Sequence, residues 1–514
     1  MPPAPPSSPS DKKLGGLVKH SAIYSAAPLL RQVIAIAMTS LYTLWLGEEG
    51  FGVKGVIDLW MIGLQQLLGV NVLGAMVRFY YDHKDERDRA ATVTSCTYLV
   101  TVLAWIVCGT AWFFRAELTP ILLDDAPVVA GNDLVSVLGL MLLLIPFQLS
   151  TQSGFYYLMA VKRSGLFTTI QTAKLLFEIA LNFVFLGYFD WKVEGFLISM
   201  LIGEAVTSLF LCGWIFKHLG TRFDARVLRP ILAYAAPLVP VGICQLALHS
   251  LDRRLLVMFS PEELHWSSTG VYDLAYKIGF LTTAMILGPF IQIFHSWIYD
   301  IEDPKEQSRH LADVGTWVVL AIAAVSVGVI LFGRQAAILL SIRDEDFWEA
   351  WRVIPYIAGG YVFWALYHVS QIPLFIAKRT VRLFAINLAA LGVNVTANAM
   401  LIPELGFVGA GIATAATFLS LALMGMLVSR SEAKVPFELG RLVTILLGVV
   451  LGSALALWID GIEAADELGF VAAIVLKAVC CAAILLGYWR LVLRAEERSQ
   501  LVTWIRAKRS GAAA

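Results

Sequence analysis

Residues 134–159 read LVSVLGLMLLLIPFQLSTQSGFYYLM, 26 positions without a charged side chain. A helix needs about 20 apolar residues to cross roughly 30 Å of hydrocarbon. In lipid the backbone must satisfy its own hydrogen bonds, which a helix does within one segment. The stretch therefore predicts a membrane-spanning α-helix. Comparable runs flank it at 19–46, 52–80, 90–114, 165–188, 193–216, 231–258, 270–298, 311–332, 352–376, 381–402, 405–428, 440–459 and 468–490. Together they predict an all-α integral membrane protein with about fourteen transmembrane helices.

Composition points the same way. Of 514 residues, 58% are hydrophobic and 15% charged, and the mean hydropathy is +0.73. The 39 basic and 39 acidic residues cancel, which argues against nucleic acid as a partner, because a phosphate-binding surface leaves a basic excess. The six cysteines, Cys96, Cys108, Cys212, Cys244, Cys480 and Cys481, all fall in apolar runs. They read as small buried hydrophobes, with no spacing for a disulfide framework or a metal. No motif calls for a cofactor. The first run, 19–46, is too long for a signal-peptide core and reads as the first membrane helix.

Loop charge orients the chain. With the N-terminus inside, 27 basic residues fall on the inner segments and 8 on the outer ones. This bias predicts both termini in the cytoplasm. The 115–133 and 460–467 loops then lie outside. No loop exceeds about 20 residues, so no soluble catalytic domain is expected. The phosphate-binding pattern GxxxxGK[ST] is absent.

The sequence repeats itself at long range. AAPL at 26–29 recurs at 235–238, an offset of 209. Lys162-Arg163 recurs as Lys378-Arg379, Leu166-Phe167 as Leu383-Phe384, and Asn182 as Asn398, at offsets of 216 or 217. The unit is six helices, so the second copy keeps the orientation of the first. Such parallel repeats make two lobes with a substrate site at their interface. The expected organisation is a disordered N-terminus (1–16), an N-lobe (17–216), a cytoplasmic linker (217–230), a C-lobe (231–430), two further helices (440–490) and a cytoplasmic tail (491–514).

Three segments carry a family resemblance. LGEEGFG at 46–52 precedes a helix ending GAMVR at 74–78. YAAPLVP at 234–240 is followed by Asp252-Arg253 and by GVYDLAYK at 270–277. IPELGFVGAGIAT at 402–414 opens a small-residue helix. From about residue 17 to 490 the chain resembles the oligosaccharide/polysaccharide flippase family of the multidrug/oligosaccharidyl-lipid/polysaccharide (MOP) exporter superfamily. The resemblance implies a MATE-like fold of two parallel six-helix lobes plus two C-terminal helices, in a bacterial inner membrane. It implies no enzyme but export of undecaprenyl-pyrophosphate-linked oligosaccharide, with membrane lipid and polysaccharide assembly machinery as partners. Asp252 and Arg253 match the family pattern and are implied site residues. Asp273 and Lys277 depart from it, since many relatives carry Ser and Arg there.

Charges inside the membrane are costly and mark function or pairing. Arg31 lies midway along the first predicted helix. Its neighbours one turn away are Pro28, Ala27, Ile34 and Ala35. It reads as a cavity-lining phosphate ligand or as the partner of another helix. Lys174 and Glu178, and likewise Asp273 and Lys277, sit four residues apart and read as local pairs or cavity groups. Asp58 and Glu204 read as coupling carboxylates or, more simply, as partners of Arg31. The triplet Asp252, Arg253 and Arg254 reads partly as an interfacial anchor. Lys477, without a partner one turn away, reads as snorkelling or touching lipid phosphate. His249, His295 and His368 read as neutral, hydrogen-bonded helix residues. Asn394 formally opens a glycosylation motif and is discounted as intramembrane.

Lipid II export and multidrug efflux are sibling readings. A membrane polymerase or ligase is the alternative from another class, disfavoured because it needs a long outer loop.

Overall fold

Runs this apolar leave the backbone no partner but itself, and in the computed structural model every regular element among the described residues is helical. The structure describes residues 38, 41–42, 45–46, 50, 53–123, 133–260, 265–301, 303–340, 345–433, 435–465, 468–499 and 502. The predicted first helix, Arg31 included, lies almost wholly outside them.

The helices are α1 (Val53–Leu68), α2 (Val70–Asp82), α3 (Glu86–Phe113), α4 (Arg115–Leu122), α5 (Leu134–Ala160), α6 (Ser164–Asn182), α7 (Lys192–Leu219), α8 (Ala225–Ala235) and α9 (Leu238–Phe259). There follow α10 (His265–Ile298), α11 (Pro304–Leu331), α12 (Gly333–Leu340), α13 (Ile354–Ser370), α14 (Ile372–Ile376), α15 (Thr380–Leu405), α16 (Phe407–Ser429), α17 (Leu439–Ala464) and α18 (Phe470–Gly487). Among the described residues ten helices are long and apolar enough to cross a membrane, or eleven if one bent pair counts as a single span. The ten do not include α10 or the 17-residue α13, which match the predicted spans 270–298 and 352–376.

Two expectations need correction. The predicted span 52–80 is broken at Gly69, where α1 and α2 meet at 46°. Gly69 has φ +154°, and a Cβ there would stand 2.6 Å from Val100 Cγ2. Only glycine allows both the turn and the approach of α3. Gly69→Ala is expected to cost about 1–3 kcal/mol by overpacking, read as a lower unfolding temperature in detergent. The predicted outer loop 460–467 is also shorter, because α17 runs to Ala464 with Asp460 and Glu463 buried.

The chain folds as two units. Unit 1 comprises Met1–Leu246, Pro289–Ile301 and Lys378–Phe384; unit 2 comprises Ala247–Gly288, Glu302–Ala377 and Ala385–Ala514. In unit 1, α5 packs on α3, α7 and α2, around Leu73, Val100, Leu138, Met141, Ile145 and Leu197. In unit 2, α13 packs on α16 and α11, and α17 joins α11 to α18. The repeat has a packing counterpart. A Cβ on Gly195 would meet Phe185 O at 3.1 Å, and one on Gly409 would meet Leu401 O at 2.4 Å. Equivalent glycines thus let equivalent helix pairs close tightly.

Within unit 2, α17 and α18 are held by buried charge. Lys477 is fully buried and pairs with Asp460, with Glu463 at 3.2 Å and with Gln335 Oε1 at 2.8 Å. Arg334 Nε lies 3.5 Å from Glu463. Lys477 therefore neither snorkels nor meets lipid phosphate. Its partners stand on α17 and α12, beyond the reach of a one-turn search. All six cysteines are free, with Cys96, Cys108 and Cys244 buried and the other three half-buried.

Candidate functional site

In unit 2, Asp252 lies on α9 with no exposed surface. Oδ2 accepts from Tyr272 OH at 2.7 Å, and Thr414 Oγ1 lies at the same distance from it. Oδ1 accepts from Asn394 Nδ2 and Asn398 Nδ2, both at 2.9 Å. These donors come from α10, α15 and α16, so one carboxylate ties four helices. All four partners are neutral. A buried carboxylate without a cation is stable only with such a full donor shell, or with a proton.

Asp252 is therefore tied to protein rather than placed at an interface, while Arg253 is half-buried and Arg254 exposed. The neighbours on α10, α15 and α16 bury Asp252. Arg253 turns to Asp273, with Nε at 2.8 Å and Nη2 at 2.6 Å from Oδ1. It also donates to His249 O at 2.7 Å and stacks on Tyr276 at 4.9 Å. Lys277 reaches the other Asp273 oxygen at 2.7 Å, one turn along α10, with its side chain 67% exposed. Among the described residues two cations face this one carboxylate, an excess of one positive charge in the Arg253–Asp273–Lys277 group. His249 bonds Tyr276 OH at 2.5 Å and packs against Trp364, Tyr361 and Phe418. His368 bonds Gln371 at 2.8 Å, while the side chain of His295 lies outside the described residues.

A second charged cluster lies in unit 1. Lys174 on α6 contacts Glu204 on α7 at 2.5 Å and Glu178 at 3.5 Å. The expected local pair with Glu178 is thus the weaker contact, because α6 packs on α7 and brings Glu204 closer. Among the described residues Lys174 faces both carboxylates. Glu204 Oε2 is buried without a hydrogen-bond partner among the described residues. Among those residues Glu204 pairs with Lys174, and its expected pairing with Arg31 lies outside the described residues. Asp58 pairs with Lys54 at 2.5 Å, since a lysine one turn earlier needs no second helix.

The structure thus gathers Asp252, Arg253, Asp273 and Lys277 in unit 2 and Lys174, Glu178 and Glu204 in unit 1. Sequence reasoning missed Tyr272, Thr414, Asn394 and Asn398. Asn398 carried a signal, since it repeats Asn182, and Asn182 donates to Tyr42 OH at 2.9 Å. Tyr42 stands 210 residues before Asp252, so the first copy holds a phenol where the second holds a carboxylate.

Helices in this order and packing match solved transporters. An outward-facing multidrug resistance MATE family transporter of the MOP superfamily superposes with a TM-score of 0.66 at 15% identity, covering 81% of this chain and 94% of that one. The chain has the fold of a MATE transporter. A MOP superfamily transporter from Pyrococcus furiosus gives 0.66 at 16% identity, over 81% and 94% of the two chains. A Vibrio cholerae MATE transporter variant gives 0.65 at 14%, over 81% and 97%. No family model and no curated protein matches the sequence. The MATE fold is a multi-pass membrane fold, and the solved structures that share it here are transporters rather than enzymes.

Proposed function

We propose that the protein is a flippase that carries a polyprenyl-diphosphate-linked oligosaccharide across a bacterial inner membrane by alternating access. The supporting observation is the excess positive charge of the Arg253–Asp273–Lys277 cluster, with Lys277 exposed. A diphosphate cannot enter a low-dielectric path without cations, and guanidinium and ammonium groups are its natural ligands. The polyprenyl tail stays in lipid while the sugars pass. In this reading 17–216 and 231–430 are the two rocking lobes, both termini are cytoplasmic, and membrane lipid and polysaccharide assembly enzymes are the partners. Asp252 and the Lys174–Glu178–Glu204 group carry the coupling proton or cation.

Multidrug export is the second reading. The carboxylates Glu178 and Glu204 beside Lys174 would suit a cationic drug, and one solved structure of this fold is a multidrug resistance transporter. Lipid II is a narrower version of the first reading.

The test is reconstitution in vesicles with a diphosphate-linked oligosaccharide, followed by its exposure to an external lectin. Transport without any growth of the sugar chain supports the flippase over a polymerase or ligase. Export of organic cations alone would overturn it. Arg31, a fixed charge on the first predicted helix, gives a sharper arm. Arg31→Ala is expected to lower transport at least about tenfold, roughly 1.4 kcal/mol, with normal accumulation in the membrane. Arg31→Lys is expected to keep part of it. Full transport by Arg31→Ala would remove Arg31 from the substrate path.

A further inference from the structure

Two turns of the repeat share an unusual backbone. Residues 161–164 (VKRS) follow α5 and 377–380 (AKRT) follow α14. Lys162 and Lys378 both have φ +57°, a left-handed conformation uncommon outside glycine. Two other segments also repeat, FYYD at 79–82 ending α2 and WIYD at 297–300 ending α10. The ion pairs between them are exchanged. Lys162 of the first copy meets Asp300 of the second at 2.7 Å. Lys378 of the second meets Asp82 of the first at 2.5 Å. Each lysine also lies over an aromatic ring, Lys378 over Phe79 at 4.3 Å and Lys162 over Tyr81 at 5.7 Å. Arg78 pairs with Asp82 and stacks on Tyr299 at 5.1 Å. All of these residues belong to unit 1, whose segments Pro289–Ile301 and Lys378–Phe384 come from the second copy.

We propose that Lys162–Asp300 and Lys378–Asp82 are the two halves of a reciprocal gate, closed in this structure, that latches the two copies together on their cytoplasmic side. Neither pair holds a copy to itself, so separating the copies breaks both. That side is the one to which the basic-residue bias assigns both turns. The pairs are partly exposed, and exposed ion pairs are weak. A latch that opens in every cycle needs contacts that a modest difference in binding can outweigh. The left-handed turns hold both lysines in the same geometry, and the rings beneath replace water on one face of each ammonium. The inference rests on alternating access and not on the identity of the substrate.

The test uses full-length protein in nanodiscs, with the six cysteines replaced and spin labels on cysteines at Lys84 and Arg309. Distance distributions are recorded without substrate. Lys162→Asp and Asp300→Lys, each alone, are expected to raise the longer-distance population at least about twofold. The double exchange Lys162→Asp/Asp300→Lys is expected to return it to that of the parent. Lys378→Glu is expected to act like Lys162→Asp. Unchanged distributions in the single variants, or no return in the double exchange at normal protein yield, would overturn the gate. A shift with rescue, in protein that moves no lipid-linked oligosaccharide, supports the gate and refutes the substrate reading instead.

Discussion

Lys477→Met is expected to destabilise the folded protein by about 3–5 kcal/mol, the usual result of removing one partner from a buried ion pair. Lys477 has no exposed surface and sits among Asp460, Glu463 and Gln335. With Arg334 the cluster balances two cations against two carboxylates. Removing the ammonium leaves Asp460 ionised without its lysine, or protonated at a cost. It also deprives Gln335 Oε1 of its donor. The double variant Lys477→Met/Asp460→Asn is expected to recover most of the loss, because Arg334 and Glu463 then balance each other and no charge is left uncompensated. Unfolding of a membrane protein this size is read as a rate, so the measurement is the half-life of the monodisperse peak on heating in detergent. A single variant as long-lived as the parent would show that α17 and α18 are held by apolar packing alone. Since the cluster anchors helices rather than substrate, any Lys477→Met protein that reaches the membrane is expected to transport at the normal rate per molecule.

Lys477 also shows where sequence reading stops. Hydropathy finds helices because a long uncharged run has one way to satisfy its backbone in lipid, and 134–159 matches α5 within one residue. The same averaging hides Gly69, whose neighbours stay apolar through the bend. The one-turn rule found Asp273–Lys277, because helix geometry fixes that distance whatever the fold. It offered Lys174 only Glu178, since nothing local reveals that α7 brings Glu204 to it from 30 positions away. The donors to Asp252 come from 20 to 162 residues away. They are amides and hydroxyls, which carry no charge to draw attention within a membrane helix. Asn394 was set aside as a false glycosylation motif, yet it is part of that shell. Arg253, by contrast, was legible from the family pattern, but its partner was not.

The strongest test of function concerns that partner. Arg253→Gln with Lys277→Gln is expected to lower transport of a diphosphate-linked oligosaccharide by about a hundredfold or more, roughly 2.7 kcal/mol of lost stabilisation. The double variant leaves Asp273 without a cation, so the loss alone does not separate a substrate ligand from a structural pair. Arg253→Gln/Asp273→Asn makes the separation. If Arg253 only neutralises Asp273, this neutral pair keeps the helices together and transport returns. If Arg253 binds phosphate, the variant folds normally and still fails, because the cluster keeps its net charge through Lys277 but loses the guanidinium fork that grips phosphate. Asp273→Asn alone sharpens the contrast. It leaves both cations free of their carboxylate, so the protein is expected to bind the diphosphate lipid more tightly and release it more slowly. Lys277→Arg is expected to keep most activity, since the position is exposed and either cation reaches phosphate. Measured side by side in vesicles at equal protein density, rescue by Arg253→Gln/Asp273→Asn would assign the cluster to the scaffold. Failure of that variant, with tighter binding by Asp273→Asn, would assign it to the path of an anionic headgroup.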